Sequence, residues 1–294
     1  GDNSTLNARN NVSVTAESEL DIISVAIGVG GGTVGIAGTV SVTIVNQTTT
    51  ATVGSGVTID ADNNVRVAAN SDTRFLQITA ALAGGYVGVG ASVGVTKADI
   101  TTKASVGSNA TIDARALGSA LDGRRGLAIL SNSVEDIFGL VPAIGAGFVG
   151  VAGGVSVTLI TVLSEAALGD NADVNAKAGA SAGQDVAVIA EDDAKTLTIA
   201  GGAAGGFVGV AGGVDIGVLS ISVAATTGTS SGARQIRALD DVNVAAMSRK
   251  QVQTFAVSFG AGAVGVAGSV SVWSLGTNAT TTYEDNADGD ERGA

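Results

Sequence analysis

The sequence predicts an all-β array of stacked repeats. Three observations carry that expectation: a glycine-rich motif that recurs five times along 294 residues, strict period-two alternation inside it, and a composition rich in glycine and β-branched residues but poor in large rings. Each limits the fold in its own way.

The recurring segments are TVGIAGTVSV from Thr33, YVGVGASVGV from Tyr86, FVGVAGGVSV from Phe148, FVGVAGGVDI from Phe207 and AVGVAGSVSV from Ala263, which superimpose without gaps. They share Gly35, Gly88, Gly150, Gly209 and Gly265, at spacings of 53, 62, 59 and 56 residues. A second motif, LNARNNVSVTA from Leu6, IDADNNVRVAA from Ile59 and IRALDDVNVAA from Ile236, shows where the extra residues enter. It is interrupted between Ile112 and Leu127 and again between Val174 and Val186, and a smaller insertion lies near Gly228. Insertions at one corner are what stacked repeats tolerate, because a loop there projects without disturbing the stack. The expected repeats are 1–53, 54–106, 107–168, 169–227 and 228–283, with a further one beginning in 284–294. GDNSTLNA at Gly1 matches GDNADVNA at Gly169, so both ends cut a repeat, and the parent protein is expected to continue in both directions.

Within the motif, Val34, Ile36, Val40, Val42 and Ile44 fall on one face of an extended strand, and Gly35, Ala37, Thr39, Ser41 and Thr43 on the other. The bulky face is expected to line the core. The small face is expected against a second sheet, a neighbouring molecule or water. With the flanking runs, such as LDIISVAIGV from Leu20 and TTTATVG from Thr48, a repeat should hold four or five strands. The uncharged stretches 22–46 and 141–163 are long enough to cross a bilayer, but weak helix formers and period two read as strands, so no membrane insertion is expected. Strand direction stays open, since antiparallel hairpins at Gly84 and Gly85 would bury the same valines.

With 44 glycines, one proline and 3% aromatic residues in a chain that is 45% hydrophobic, packing must come from small and branched side chains in thin layers. The absence of cysteine and histidine removes disulfides, thiolate nucleophiles, imidazole bases and the usual zinc sites. A net charge of −12 argues against nucleic acid as a partner.

The I-x-A-x-x-x-V-x-V-x-A motif resembles repeats of the filamentous haemagglutinin type of bacterial exoprotein. The GxVGVAGxVSV segments followed by NQTTTATVG look more like leukotoxin-like filamentous adhesins and autotransporter passengers. The resemblance implies a right-handed parallel β-helix, secretion, and display on the bacterial cell surface as a long fibre. The period exceeds a single coil of about 20 residues, so each repeat is expected to hold two or three coils.

The remaining motifs read mainly as structure. GGGTVG from Gly30 matches a phosphate fingerprint but is followed by a strand, which points to a tight corner. Acidic clusters at Asp60, Glu191, Leu239 and Glu284 read as solvated corners; calcium there, best near Asp288, is the one cofactor they admit. N-x-S/T tripeptides start at Asn3, Asn11, Asn46, Asn109 and Asn278, and Trp273 stands alone on the small-residue face. The insertion SALDGRRG, with Asp122, Arg124 and Arg125, is the single charged loop large enough for a ligand, an arginine pair suiting carboxylates or acidic sugars. No catalytic residue is assigned. The expected function is a non-catalytic structural or adhesive stalk segment whose partners are a host or neighbouring-cell surface or copies of itself. A filament subunit zipped through small-residue faces, and a carbohydrate-active β-helix, are the alternatives.

Overall fold

The computed structural model describes residues 1–229 and 234–282, and these form a parallel β-solenoid without a helix. Its strands are β1 (Thr5–Ala8), β2 (Val12–Val53), β3 (Thr58–Ala61), β4 (Val65–Val106), β5 (Thr111–Ala114), β6 (Gly126–Ala146), β7 (Val149–Leu168), β8 (Asp173–Val174), β9 (Asp185–Gly205), β10 (Val208–Thr227), β11 (Val242–Ala261) and β12 (Val264–Thr282). All ladders between them run parallel. The hairpin alternative is thereby excluded.

Each repeat is one large coil. A short base strand is followed by a long ascending strand, a sharp corner, and a long descending strand that returns to the base. In the first two coils β2 and β4 run through the corner at Gly31–Gly32 and Gly84–Gly85; in the later coils the strand breaks there. Equivalent residues stack in register, so Val34, Val87, Val149, Val208 and Val264 form one row. The expectations of two or three coils and of four or five strands per repeat are both overturned. A coil of this length is stable because its two long strands lie against each other face to face, leaving no wide lumen to fill.

That close approach explains the alternation. A Cβ on Gly30 would lie 2.1 Å from the carbonyl oxygen of Ile36, and one on Gly145 would lie 2.1 Å from that of Val151. Sheets usually pack about 10 Å apart; here the upper half of the coil is a blade filled mostly by Gly, Ala, Ser and Thr, with Gln77, Val141 and Asp215 as larger exceptions. Across it, the Ser24 and Ser41 hydroxyls meet at 3.0 Å and Thr96 donates to Gln77 at 2.9 Å. The small face thus packs against a second sheet, that of the same coil. The bulky face points outward: Val34, Ile36, Val40, Val42 and Ile44 are all exposed, which reverses the expectation that they line the core. With the small-residue face enclosed, it is also not available to zip neighbouring chains together.

Toward the base the two sheets diverge around a conventional apolar core. Val12, Val45, Ile59, Val65, Phe75, Ile100, Ile112, Leu127 and Ile160 belong to it, and most are fully buried. The corner entering each base strand needs a left-handed residue. Asn3, Gly56, Asn109 and Asn171 occupy it with φ of 52°, 65°, 59° and 54°, types that accept this conformation at low cost. Their amides reach the next coil, as in Asn3 N–H to Ser55 O at 2.9 Å. Two of the N-x-S/T tripeptides, at Asn3 and Asn109, therefore follow from corner geometry.

Candidate functional site

The insertion between β5 and β6 carries the charged loop singled out in the sequence. Leu121 and Arg124 exchange backbone hydrogen bonds at 2.8 and 3.1 Å around Asp122 and Gly123, whose φ angles of 49° and 77° make a tight reversed turn. The Asp122 carboxylate lies 2.6 Å from the Arg66 guanidinium, while Arg125 donates to Gly118 O at 2.6 Å. The arginine pair is thus not poised as one fork: Arg125 ties down its own loop, and Arg124 alone has no side-chain partner among the described residues.

Two buried asparagines, just after the corner at Asp60, hold this loop. Asn63 accepts from Gly118 N at 2.9 Å and donates to Ser119 O at 3.0 Å; Asn64 accepts from Gly126 N at 2.9 Å and donates to Ser119 O at 2.8 Å. Asn63→Ala should lower the stability of the chain by about 2 kcal/mol, because several buried polar groups lose their partner at once. Urea melts and protease cleavage within 117–125 check this, and unchanged melting with an uncleaved loop would contradict it.

At the base, carboxylates and cations of three coils converge. Lys177 lies 2.7 Å from Asp60 and 4.0 Å from Asp113, and Arg115 pairs with Asp62 and lies 3.8 Å from Asp60. The hydrogen bond from Lys177 holds the Asp60 carboxyl below its usual range; desolvation opposes it, and the charges of Lys177 and Arg115 add to the lowering. Three carboxylates and two cations thus pair with one another across the coils, leaving one negative charge in excess. Among the described residues no three Asp, Glu, His or Cys gather as a metal site. Asp288 and Glu284 lie outside the described residues, as do positions 230–233 of the insertion near Gly228.

A second set of acids is enclosed between the sheets. Glu135, 1% exposed, accepts from the Ser133 hydroxyl and neighbours Asp192. Desolvation, then repulsion from Asp192, pushes the Glu135 carboxyl up to about 9; desolvation pushes Asp192 up to about 6. Glu135 therefore keeps its proton at neutral pH, in which form it can donate a hydrogen bond to Asp192. Farther up, Asp215 accepts from Thr198 at 2.9 Å and from the Trp273 indole at 2.7 Å. Trp273 stands where the second and third coils carry Thr96 and Thr158, and Gly217 beneath it leaves room for the ring, since a Cβ there would lie 2.3 Å from it. Asp192 borders a shallow surface hollow together with Asn132, Glu191, Asp193, Met247, Ser248 and Arg249.

The outside of the blade is a continuous apolar surface. Above Asp21, Arg74, Asp136 and Lys195 on the ascending side, and down to the row of Val42, Val95 and Val157 on the descending side, no outward residue is charged. At the edge of the blade Tyr86, Phe148 and Phe207 stack with ring centroids 5.0 Å apart and planes 3° from parallel. No helix is long and apolar enough to cross a membrane among the described residues. Compared with known proteins, the chain matches no family model, no curated protein and no solved structure.

Proposed function

We propose that the chain is a structural, non-catalytic segment of a longer surface-displayed stalk, exported from a bacterial cell. The observation that carries this reading is the unbroken register of five large coils. Each adds one backbone ladder on two long sheets, so length and stiffness grow by repetition while loops vary at one corner. Binding to a host or neighbouring cell then falls to loops such as 117–125, or to other parts of the parent protein.

The carbohydrate-active alternative would use the base cluster, the one place where Asp60, Asp113, Arg115 and Lys177 converge. Mutual pairing of those groups argues against it. Incubation with polygalacturonate and alginate, followed by detection of unsaturated uronides, tests the choice. No product is expected, whereas turnover that disappears in Lys177→Ala would replace the structural reading with an enzymatic one.

A further inference from the structure

Between the apolar blade and the base, the outward residues of the ascending face form an acidic belt. It runs through Glu17, Glu19 and Asp21 of the first coil and their register partners on the later coils. Carboxylates outnumber cations there. Asp72 takes Arg74 at 2.9 Å and Asp193 takes Lys195 at 3.6 Å. That leaves Glu17, Glu19, Asp21, Asp136 and Glu191 with no ion pair among the described residues, and only Arg249 to set against them. Asp136 and Glu191 sit on coils flanked on both sides, so their lack of a partner does not come from the ends of the described chain.

The belt is also hollow. A depression of about 430 Å³ lies between Glu17, Glu19, Asp72 and Val134, one of about 310 Å³ between Asp21, Ile23, Arg74 and Phe138, and one of about 250 Å³ between Asn132, Glu191 and Arg249. They follow one another along the solenoid at the height where the blade gives way to the wider base core, with Ile22 and Phe75 of that core behind them. One oxygen of Asp72 and one of Asp193 are enclosed there without a donor. The upper rim of this trough is apolar: Ile23, 74% exposed, shares its row with Leu76, Phe138 and Leu197.

We propose that the trough is a docking site for a cationic amphipathic segment of a partner protein. The segment lies along the solenoid, its lysines and arginines over the belt and its large apolar side chains on the row from Ile23 to Leu197. Charge selects this occupant. A second copy brings the same belt and a net charge of −12, and nucleic acid or an anionic bilayer brings like charge as well. No three carboxylates among the described residues gather closely enough to hold a metal ion in its place. Successive coils at the usual strand spacing carry the trough over about 20 Å, the length of about 13 residues of helix. An amphipathic helix with its apolar stripe in a groove and its cations along one flank meets both the rim and the belt. The inference goes beyond the stalk reading, which leaves binding to loops, and holds whether or not the chain is exported.

The probe is a labelled helical peptide of about 14 residues with lysine on one face and leucine on the other, followed by fluorescence anisotropy. It should bind the chain with a Kd of about 10 µM in about 50 mM salt and about tenfold more weakly in about 500 mM. The same pattern with glutamate in place of lysine should not bind. Asp136→Lys and Glu191→Lys should each weaken binding about fivefold and Leu197→Ser about threefold. Glu165→Lys makes the same change of net charge on the descending face and should leave the Kd within about 1.5-fold. Circular dichroism confirms that each variant keeps its strands. No binding at about 100 µM, equal losses in Glu165→Lys and Glu191→Lys, or equal binding of the glutamate peptide would each overturn the proposal. So would a different occupant of the trough: a dimer that excludes the peptide, or flotation with phosphatidylcholine vesicles that excludes it.

Discussion

Gly150→Val should be the most damaging single substitution in the repeat signature, lowering stability by about 4 kcal/mol or leaving the blade unfolded. Gly150 is one of the five glycines that superimpose in the sequence. A Cβ at its position would sit 2.5 Å from Gly145 O and 2.8 Å from Gly205 O, and its row neighbours Gly88 and Gly209 face carbonyls at 2.4 and 2.6 Å. These obstacles are backbone atoms of the opposing strand and the adjacent coil. They are held by ladders on both sides and cannot rotate away as a side chain would. Accommodating valine means prying the two sheets apart, which separates Ala143, Ala152, Ala204 and Ala211 from one another as well. Val42→Asp is the informative contrast. The alternation alone would place Val42 in the core and predict unfolding, but Val42 is 60% exposed, so the expected loss is about 0.5 kcal/mol. Urea denaturation of the two variants decides between the arrangements, and a larger loss for Val42→Asp would put the bulky face inside after all.

The comparison shows which information the sequence holds in the open. Repetition and period two are properties of the chain itself, so the all-β array and the row of shared glycines were legible. The corner at Gly30 followed from a glycine run leading into a strand. Strand direction was not legible, because parallel and antiparallel pairing bury the same alternate residues. Inside and outside were misread for a physical reason. Burial normally follows side-chain volume, but between sheets this close volume excludes a residue from the interior, and Val, Ile and Leu are displaced outward while Gly, Ala, Ser and Thr take the core. The signal was present in Gly35, Gly88, Gly150, Gly209 and Gly265: a row of glycines on one face requires backbone close to that face. The charged loop shows the same limit. Asp122, Arg124 and Arg125 are adjacent in sequence, yet Asp122 is matched by Arg66 from a neighbouring strand, a pairing that register creates and spacing does not reveal.

Glu135→Gln should raise stability at alkaline pH by about 3 kcal/mol and flatten its pH dependence. Glu135 has an ordinary carboxyl value of 4.5 when the chain is unfolded and is pushed up to about 9 in the fold, first by desolvation and then by the charge of Asp192. A carboxyl whose folded value is raised binds more protons folded than unfolded between those limits. Its contribution is therefore fully present below pH 4.5 and declines as the pH climbs toward 9, at up to about 1.4 kcal/mol per pH unit. Asp192, raised from 3.8 to about 6, adds a decline of the same sign that is complete near pH 6. The parent chain should accordingly melt at steadily lower temperature from pH 5 to pH 9. In Glu135→Gln the neutral amide stands in for the protonated acid, so the fall above pH 6 should vanish. Asp136→Asn, one residue along and on the outer face, should keep the parent slope. Thermal melts across that range are the measurement, and parallel curves for parent and Glu135→Gln would show that Glu135 is ionised in the folded chain and that the space between the sheets admits water.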